Sequence, residues 1–203
     1  SEFPDSSWNT KIARDIFWEQ SMHGILQENA GVNLKDFQNE DEFFSYLGKS
    51  AVFTAKRGDQ DYYFFPIPAI DYLSHEKIKA YNLSGETVEL TPKQEDFENH
   101  RSYQYQDLTT RGTVEFRSVC AQPFDRTFIS AAFHLGILAN LENVQKYLQE
   151  TDFFKKEGRN YKQLRQKFSK KEISRSAATH VRNFANDLIQ LAIVGLVARN
   201  NGE

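Results

Sequence analysis

The spacing of hydrophobic and polar positions changes along the chain and divides it into three predicted segments. Residues 10–29 carry apolar side chains about 3.6 residues apart, which predicts an amphipathic helix. Residues 50–56 and 61–67 are rich in β-formers, and residues 109–120 alternate as a strand does. After Pro123 the spacing becomes helical and stays so. The pattern predicts a helical lead-in at 1–49, strands at 50–123 and helices at 124–203.

Two capping boxes give predicted helix starts. Asn39 followed by Glu42 predicts a short helix, with Gly48 as the residue just beyond its end. Ser169 followed by Glu172 predicts the start of the last long helix.

The two strands near residue 58 are predicted to form an antiparallel hairpin. Gly58 lies between them and can adopt the positive φ that a tight turn requires. Arg57, Gly58 and Asp59 also spell an integrin ligand, but these are common turn residues and we interpret the tripeptide as a turn.

The order of the elements predicts an α+β fold. Strands followed by helices favour an antiparallel sheet that is covered by helices from the second half. We expect residues 1–203 to form a single α+β domain or a fragment of one.

The composition excludes several classes of protein. Of the 203 residues, 39% are hydrophobic and 17 are Phe, which excludes wholesale disorder. The single cysteine, Cys120, excludes an intramolecular disulfide framework and a Cys-rich zinc site. The longest apolar run, 188–198, is too short to span a bilayer, and residues 1–8 lack a signal-peptide pattern. We therefore expect a cytoplasmic protein without membrane contact.

Charge is distributed unevenly although the net charge is only -3. Residues 155–182 contain ten Lys or Arg and two Glu. Tyr161, Leu164 and Phe168 recur there at helical spacing, which favours a solvated basic face and no nucleic-acid partner. The alternative is a regulatory module whose basic segment binds a partner or an acidic polymer.

Glu115 and Arg117 are the most informative pair in the predicted strands. Residues two apart on a strand share one face and lie about 7 Å apart. Burying both charges unpaired would be very unfavourable, so this face is solvated, paired with charges on a neighbouring strand, or a ligand site. The pattern leaves these three alternatives open.

The surrounding residues resemble a known family. The segment from Glu98-Asn99-His100, through Glu115-x-Arg117, to Pro123 has the spacing of the signature of glutamate-cysteine ligases of the plant and proteobacterial type. The resemblance extends over roughly residues 35–199, with the specific identities concentrated in 98–123. The chain departs from the family pattern at Cys120, where an Asp is usual, and at Thr109, where an Arg is usual.

This resemblance implies a cup-shaped antiparallel sheet related to glutamine synthetase. It implies that ATP phosphorylates the γ-carboxylate of glutamate and that the amine of cysteine, or another amine, attacks the acyl phosphate. Glu115 would bind Mg²⁺ and Arg117 would hold the transferring phosphoryl group. Arg111, Glu98, Asn99 and His100 would contact the substrate or the nucleotide.

The family also carries metal-binding carboxylates in an N-terminal portion. We therefore expect this chain to be a C-terminal part of such an enzyme, inactive by itself and partnered by that N-terminal remainder. An open sheet edge would also allow self-association.

Overall fold

A computed structural model describes residues 8–26, 30–32, 36–98, 103–104, 106–108, 113–116 and 122–200. The chain divides into two compact units. The first comprises residues 1–5 and 12–117, and the second comprises residues 6–11 and 118–203. The two units are described separately below.

The first unit contains all eight strands of the described residues and three α-helices. Its helices are α1 (Ala13–Gln20), α2 (Glu40–Gly48) and α3 (Ala69–Tyr72), with 3-10 helices at Met22–Gly24 and Gln94–Glu98. Its strands are β1 (Ala30–Gly31), β2 (Ala51–Arg57), β3 (Gln60–Pro68), β4 (Ile78–Tyr81), β5 (Thr87–Leu90), β6 (Tyr103–Gln104), β7 (Gln106–Leu108) and β8 (Val114–Phe116). Strands β2 to β5 form one antiparallel sheet in chain order. Two smaller sheets pair β7 with β8 antiparallel and β1 with β6 parallel.

The predicted hairpin is confirmed. Strands β2 and β3 pair from Arg57 and Gln60 at the turn to Ala51 and Pro68 at the far end, with a bulge between Val52 and Thr54. Gly58 adopts a φ of 60°, the conformation for which the turn needs glycine.

The core of the first unit lies on one face of the four-stranded sheet. In β4, Ile78 and Ala80 are buried while Lys79 and Tyr81 are exposed, as the two-residue period of a strand requires. The ring of Tyr72, from α3, stacks on the buried ring of Phe64, with centroids 5.8 Å apart. Helix α3 therefore closes the core over this face.

Local signals predict α2 well and α1 less well. The side chain of Asn39 accepts a hydrogen bond from the backbone N–H of Glu42 at 2.9 Å, so the predicted cap is confirmed. Gly48 is the last helical residue and not the residue beyond the end, so that detail is wrong. The helix predicted over 10–29 ends at Gln20, because Ser21 is extended and its hydroxyl accepts from the N–H of His23 to begin a separate 3-10 turn.

The second unit is helical. After a 3-10 turn at Phe124–Arg126 it contains α4 (Ile129–Ala139), α5 (Leu141–Glu150), α6 (Asp152–Glu157), α7 (Tyr161–Phe168) and α8 (Arg175–Asn200). The predicted change from strand to helix near Pro123 is confirmed. The α+β class is therefore correct for the chain as a whole.

The second predicted capping box is wrong. Ser169 ends α7 and is nearly buried, and its carbonyl accepts from the backbone N–H of Lys11 at 2.7 Å. Ser174 provides the cap of α8, since its hydroxyl accepts from the N–H of Ala177 at 3.2 Å. Because Ser169 is held by a residue far away in sequence, it is not available to begin a helix.

Helices α4 and α8 pack backbone to backbone. A Cβ on Gly136 would lie 2.1 Å from the carbonyl oxygen of Ala192, and a Cβ on Gly195 would lie 2.1 Å from the carbonyl oxygen of Gly136. The side-chain amide of Asn140 adds a 2.9 Å hydrogen bond to the carbonyl of Leu191. Only glycine permits this approach, because any Cβ would overlap the facing backbone.

Helix α8 also carries apolar side chains on its outer surface. Ile189, Ile193 and Val197 recur every four residues and are 44%, 45% and 53% exposed. The apolar run expected at 188–198 thus belongs to a 26-residue helix that is long and apolar enough to cross a membrane by length and composition alone. One such helix is weak evidence for a membrane span.

Candidate functional site

The structure locates two of the six predicted site residues. Glu98 is the exposed last residue of the 3-10 helix Gln94–Glu98, and Glu115 is the central residue of β8. The other four, Asn99, His100, Arg111 and Arg117, lie outside the described residues, as do Thr109 and Cys120.

The position of Glu98 is fixed by its neighbours. Asp96 is buried, at 2% exposure, and the ring of Phe97 packs edge-on against Tyr72 with centroids 5.5 Å apart. Glu98 therefore follows directly after residues of the core, at the point where the Glu98-Asn99-His100 signature begins.

Strand β8 brings Glu115 opposite another acidic residue. The antiparallel register of β7 and β8 pairs Glu115 with Asp107. Glu115 is half-buried, whereas Val114 and Phe116 on either side of it are exposed at 60% and 37%. Two acidic residues therefore occupy opposed register positions on β7 and β8.

Carboxylate oxygens are the ligands that Mg²⁺ prefers, so residues of this type at opposed register positions are candidates to hold a hard divalent cation. Sequence reasoning missed Asp107, because its relation to Glu115 depends on the register of β7 and not on spacing along one strand.

A second polar cluster in the first unit is buried and joins three elements. Asp96 accepts hydrogen bonds from the guanidinium of Arg57 at 2.9 Å, from the hydroxyl of Tyr72 at 2.8 Å and from the backbone N–H of Lys93 at 2.9 Å. Arg57 also donates to the carbonyl of Thr91 at 2.8 Å. The cluster connects the end of β2, α3 and the 3-10 helix.

The pKa values in this cluster follow from burial and hydrogen bonding. Burial alone would raise the pKa of Asp96, but the hydrogen bonds from Arg57, Tyr72 and Lys93 outweigh it and hold the pKa below its usual range. Burial, together with the hydrogen bond to Asp96, raises the pKa of Tyr72. Asp96 is therefore ionised and Tyr72 neutral at physiological pH.

We interpret this cluster as structural. Tyr72 has no exposed surface and Asp96 almost none, so a ligand has no access to them. The cluster also engages Arg57, which supports interpretation of Arg57-Gly58-Asp59 as a turn and not as an adhesion ligand.

The second unit contains a cavity of about 720 Å³ between the end of α5, the start of α6 and the middle of α8. Four aromatic side chains form one of its walls. The ring of Phe153 stacks on Phe184 and on His180, with centroids 4.2 Å and 5.0 Å apart, and Tyr147 stacks on Phe184 at 6.0 Å. No group of three or more potential metal ligands occurs among the described residues.

The basic segment 155–182 makes ion pairs and hydrogen bonds within its own unit. Lys155 pairs with Asp152 at 3.0 Å, Lys167 pairs with Glu157, and Arg159 donates to the carbonyl of Leu148. Seven of its ten cationic residues are exposed, which agrees with the predicted solvated face.

Comparisons with family models, curated proteins and solved structures give no match to this chain. The structure by itself defines the fold class as α+β, with a four-stranded antiparallel sheet in one unit and a helical second unit.

Proposed function

We propose that the protein is an ATP-dependent carboxylate–amine ligase that joins the γ-carboxylate of glutamate to the amine of cysteine or a related amine. The observation that carries the proposal is the acidic register pair of Asp107 and Glu115 at the centre of the Glu98-to-Pro123 signature. The proposal includes the finer fold prediction, in which the strands belong to a glutamine-synthetase-like cup, and a cytoplasmic location.

The order of the elements supports this proposal. Antiparallel strands precede a helical unit, as the resemblance to glutamate-cysteine ligases implies. Glu98 and Glu115 both lie in the strand-bearing unit, within the stretch where the signature residues are concentrated.

In the proposed reaction the chain's own residues position charge. Glu115, with Asp107 opposite, would hold Mg²⁺, and Glu98, Asn99, His100 and Arg111 would orient glutamate and the nucleotide. Arg117 would hold the γ-phosphoryl group while it passes to the carboxylate, since a planar guanidinium can bind two phosphoryl oxygens at once. Bound Mg²⁺ would neutralise charge on the phosphate oxygens. Catalysis of this kind consists mainly of positioning and charge stabilisation.

The direct test is Mg²⁺- and ATP-dependent phosphate release with glutamate and a panel of amines, using the complete gene product. We expect Arg117→Ala and Glu115→Gln each to reduce turnover by about 100-fold or more with little change in stability. Glu89→Gln is the matched control, because Glu89 also lies on a strand of the first unit but pairs with Lys79 in register. Absence of turnover with every amine, or full turnover in Arg117→Ala, would contradict the proposal.

Whether the isolated chain is inactive is tested separately. We propose that it lacks turnover but retains weak Mg²⁺ binding at Asp107 and Glu115, measurable by competition with Mn²⁺ in electron paramagnetic resonance. Asp107→Asn should weaken that binding and Glu89→Gln should not.

The second candidate function is a regulatory module that binds an acidic partner or polymer through the basic segment. This alternative requires accessible cationic side chains, and seven of the ten are exposed. Lys170→Glu with Arg175→Glu should then reduce retention on heparin, whereas Lys146→Glu, outside the segment, should not. Retention that does not depend on salt would exclude this alternative.

A further inference from the structure

The cavity of the second unit has the size of a small-molecule site. Its volume of about 720 Å³ lies within the roughly 300–1,000 Å³ typical of ligand pockets. All of its lining belongs to α5, α6, α8 and the turn between α5 and α6, so it lies wholly inside one compact unit.

One wall of the cavity is formed by aromatic rings that stack on one another. His180 and Phe184 are four residues apart on α8 and therefore lie on the same side of the helix. Phe153 stacks on both of these rings and is nearly buried, at 6% exposure. Tyr147 stacks on Phe184, and its hydroxyl donates to the carboxylate of Asp187 at 2.7 Å. The wall is thus a packed array of π-systems beside a carboxylate.

The charges that line the cavity are mainly negative. Glu150, Asp152 and Asp187 contribute carboxylates, whereas Lys155 contributes the one ammonium among the lining side chains. Lys155 is paired with Asp152 at 3.0 Å, so it neutralises only that carboxylate. Within the part of the chain that the structure describes, Glu150 and Asp187 have no cationic partner.

The backbone adds to this negative potential. Glu150 is the last residue of α5, where the helix dipole places partial negative charge. A carboxylate at this position is unfavourable by itself, so a cation bound here would interact favourably with both the side chain and the helix end.

We propose that this cavity binds a small organic cation, an ammonium group carried on an apolar aromatic body. Glu150 and Asp187 would attract the ammonium, and the wall of Tyr147, Phe184 and His180 would pack against the apolar body. Aromatic rings attract cations through their quadrupole, so the two features favour the same ligand. None of the residues that line this cavity is one of the proposed ligase residues, so the proposal does not depend on them.

The test uses the 203-residue chain and 2-phenylethylamine as the probe, with binding measured by isothermal titration calorimetry. Two analogues of similar size are the controls, neutral 2-phenylethanol and anionic phenylacetate. We expect saturable binding of the amine at about 1:1 stoichiometry that weakens as salt is added, and at least tenfold weaker binding of both analogues.

Variants test which residues bind the ammonium. Glu150→Gln combined with Asp187→Asn should weaken amine binding about tenfold or more, and Asn at 187 can still accept the hydrogen bond from Tyr147. Glu142→Gln, an exposed carboxylate on α5 outside the cavity, should leave it unchanged. Circular dichroism of each variant reports whether the helices persist.

Three outcomes would overturn the proposal. These are absence of saturable binding up to about 10 mM amine, equal binding of 2-phenylethanol, and unchanged binding in the folded double variant. None of these measurements involves turnover, so they are independent of the outcome of the ligase assay.

Discussion

Removal of the Asp96 carboxylate should destabilise the first unit strongly. Asp96 is 2% exposed and accepts hydrogen bonds from Arg57, Tyr72 and the backbone of Lys93. In Asp96→Asn the charge is lost and an amide NH₂ faces groups that are themselves donors. The one amide oxygen that remains cannot replace both carboxylate oxygens, so at least one of these donors loses its acceptor in the folded state.

The size of this effect follows from the burial of the partners. Breaking a buried ion pair by removing one partner costs about 3–5 kcal/mol. The side chain of Arg57 is 22% exposed, so water can recover part of its hydration and we expect the lower end, about 3 kcal/mol. Tyr72→Phe removes a single hydrogen bond to a charged group and should cost about 1.5 kcal/mol.

Urea unfolding followed by tryptophan fluorescence measures these changes in the relevant unit. Trp18 belongs to the first unit and Trp8 to the second, so a Trp8→Phe background makes Trp18 the reporter of the first unit. With a slope of about 2 kcal/mol per molar urea, 3 kcal/mol moves the midpoint by about 1.5 M. Asp59→Asn, in the exposed hairpin turn, is the control and should shift stability by less than about 0.5 kcal/mol.

The pH dependence and a double-mutant cycle provide two further checks. The pKa of Asp96 lies below its ordinary value of 3.8, so its stabilisation is complete above that pH and is lost as the pH falls through the lowered pKa. The difference between wild type and Asp96→Asn should therefore shrink only below about pH 3.8. Adding Tyr72→Phe to Asp96→Asn should cost less than the sum of the two single changes, because both remove the same hydrogen bond. Strict additivity, or a cost under about 1 kcal/mol for Asp96→Asn, would refute this reasoning.

Three further predictions concern the helical unit. Gly195→Ala should destabilise it by about 1–3 kcal/mol, because the new Cβ would lie 2.1 Å from the carbonyl oxygen of Gly136. In the same thermal unfolding measurement the control Val194→Ala, at an exposed position, should be nearly neutral. Phe153→Ala should cost about 3–5 kcal/mol in urea unfolding, since it removes the ring that stacks on His180 and Phe184. Retention of wild-type stability would contradict the stacked arrangement. Glu157→Gln should reduce the free energy of unfolding by about 1 kcal/mol at neutral pH. The hydrogen bond from Lys167 lowers the pKa of Glu157 below 4.5, so the stability difference between wild type and variant should disappear in acid. A stability difference that grows below pH 4.5 would contradict this prediction.

Features that depend on neighbouring residues could be predicted from the sequence. The hairpin around Gly58 and the Asn39 cap of α2 need only local backbone geometry and a side chain three residues away. The α+β class could also be predicted, because hydrophobic spacing changes from two residues to about 3.6 near Pro123.

The candidate site could be predicted only in part. Glu115 stood out through its spacing from Arg117, but Asp107 did not, since its place opposite Glu115 depends on how β7 pairs with β8. The aromatic wall in the second unit was also missed, because Tyr147 and Phe153 meet Phe184 only when α5 and α6 pack on α8.

The sequence by itself determined the hairpin of β2 and β3, the cap of α2 and the change from strands to helices near Pro123, because side-chain spacing and caps act within a few residues. Tertiary structure decided the rest. Ser169 does not cap α8 as expected, since Lys11 binds its carbonyl at the end of α7. Arg57 is held by Asp96, which is 39 residues away. Gly136 and Gly195 allow α4 and α8 to touch, and neither glycine has a local reason to be there. Contacts of this kind form only when distant segments pack, and packing depends on the whole chain and not on any one stretch of it.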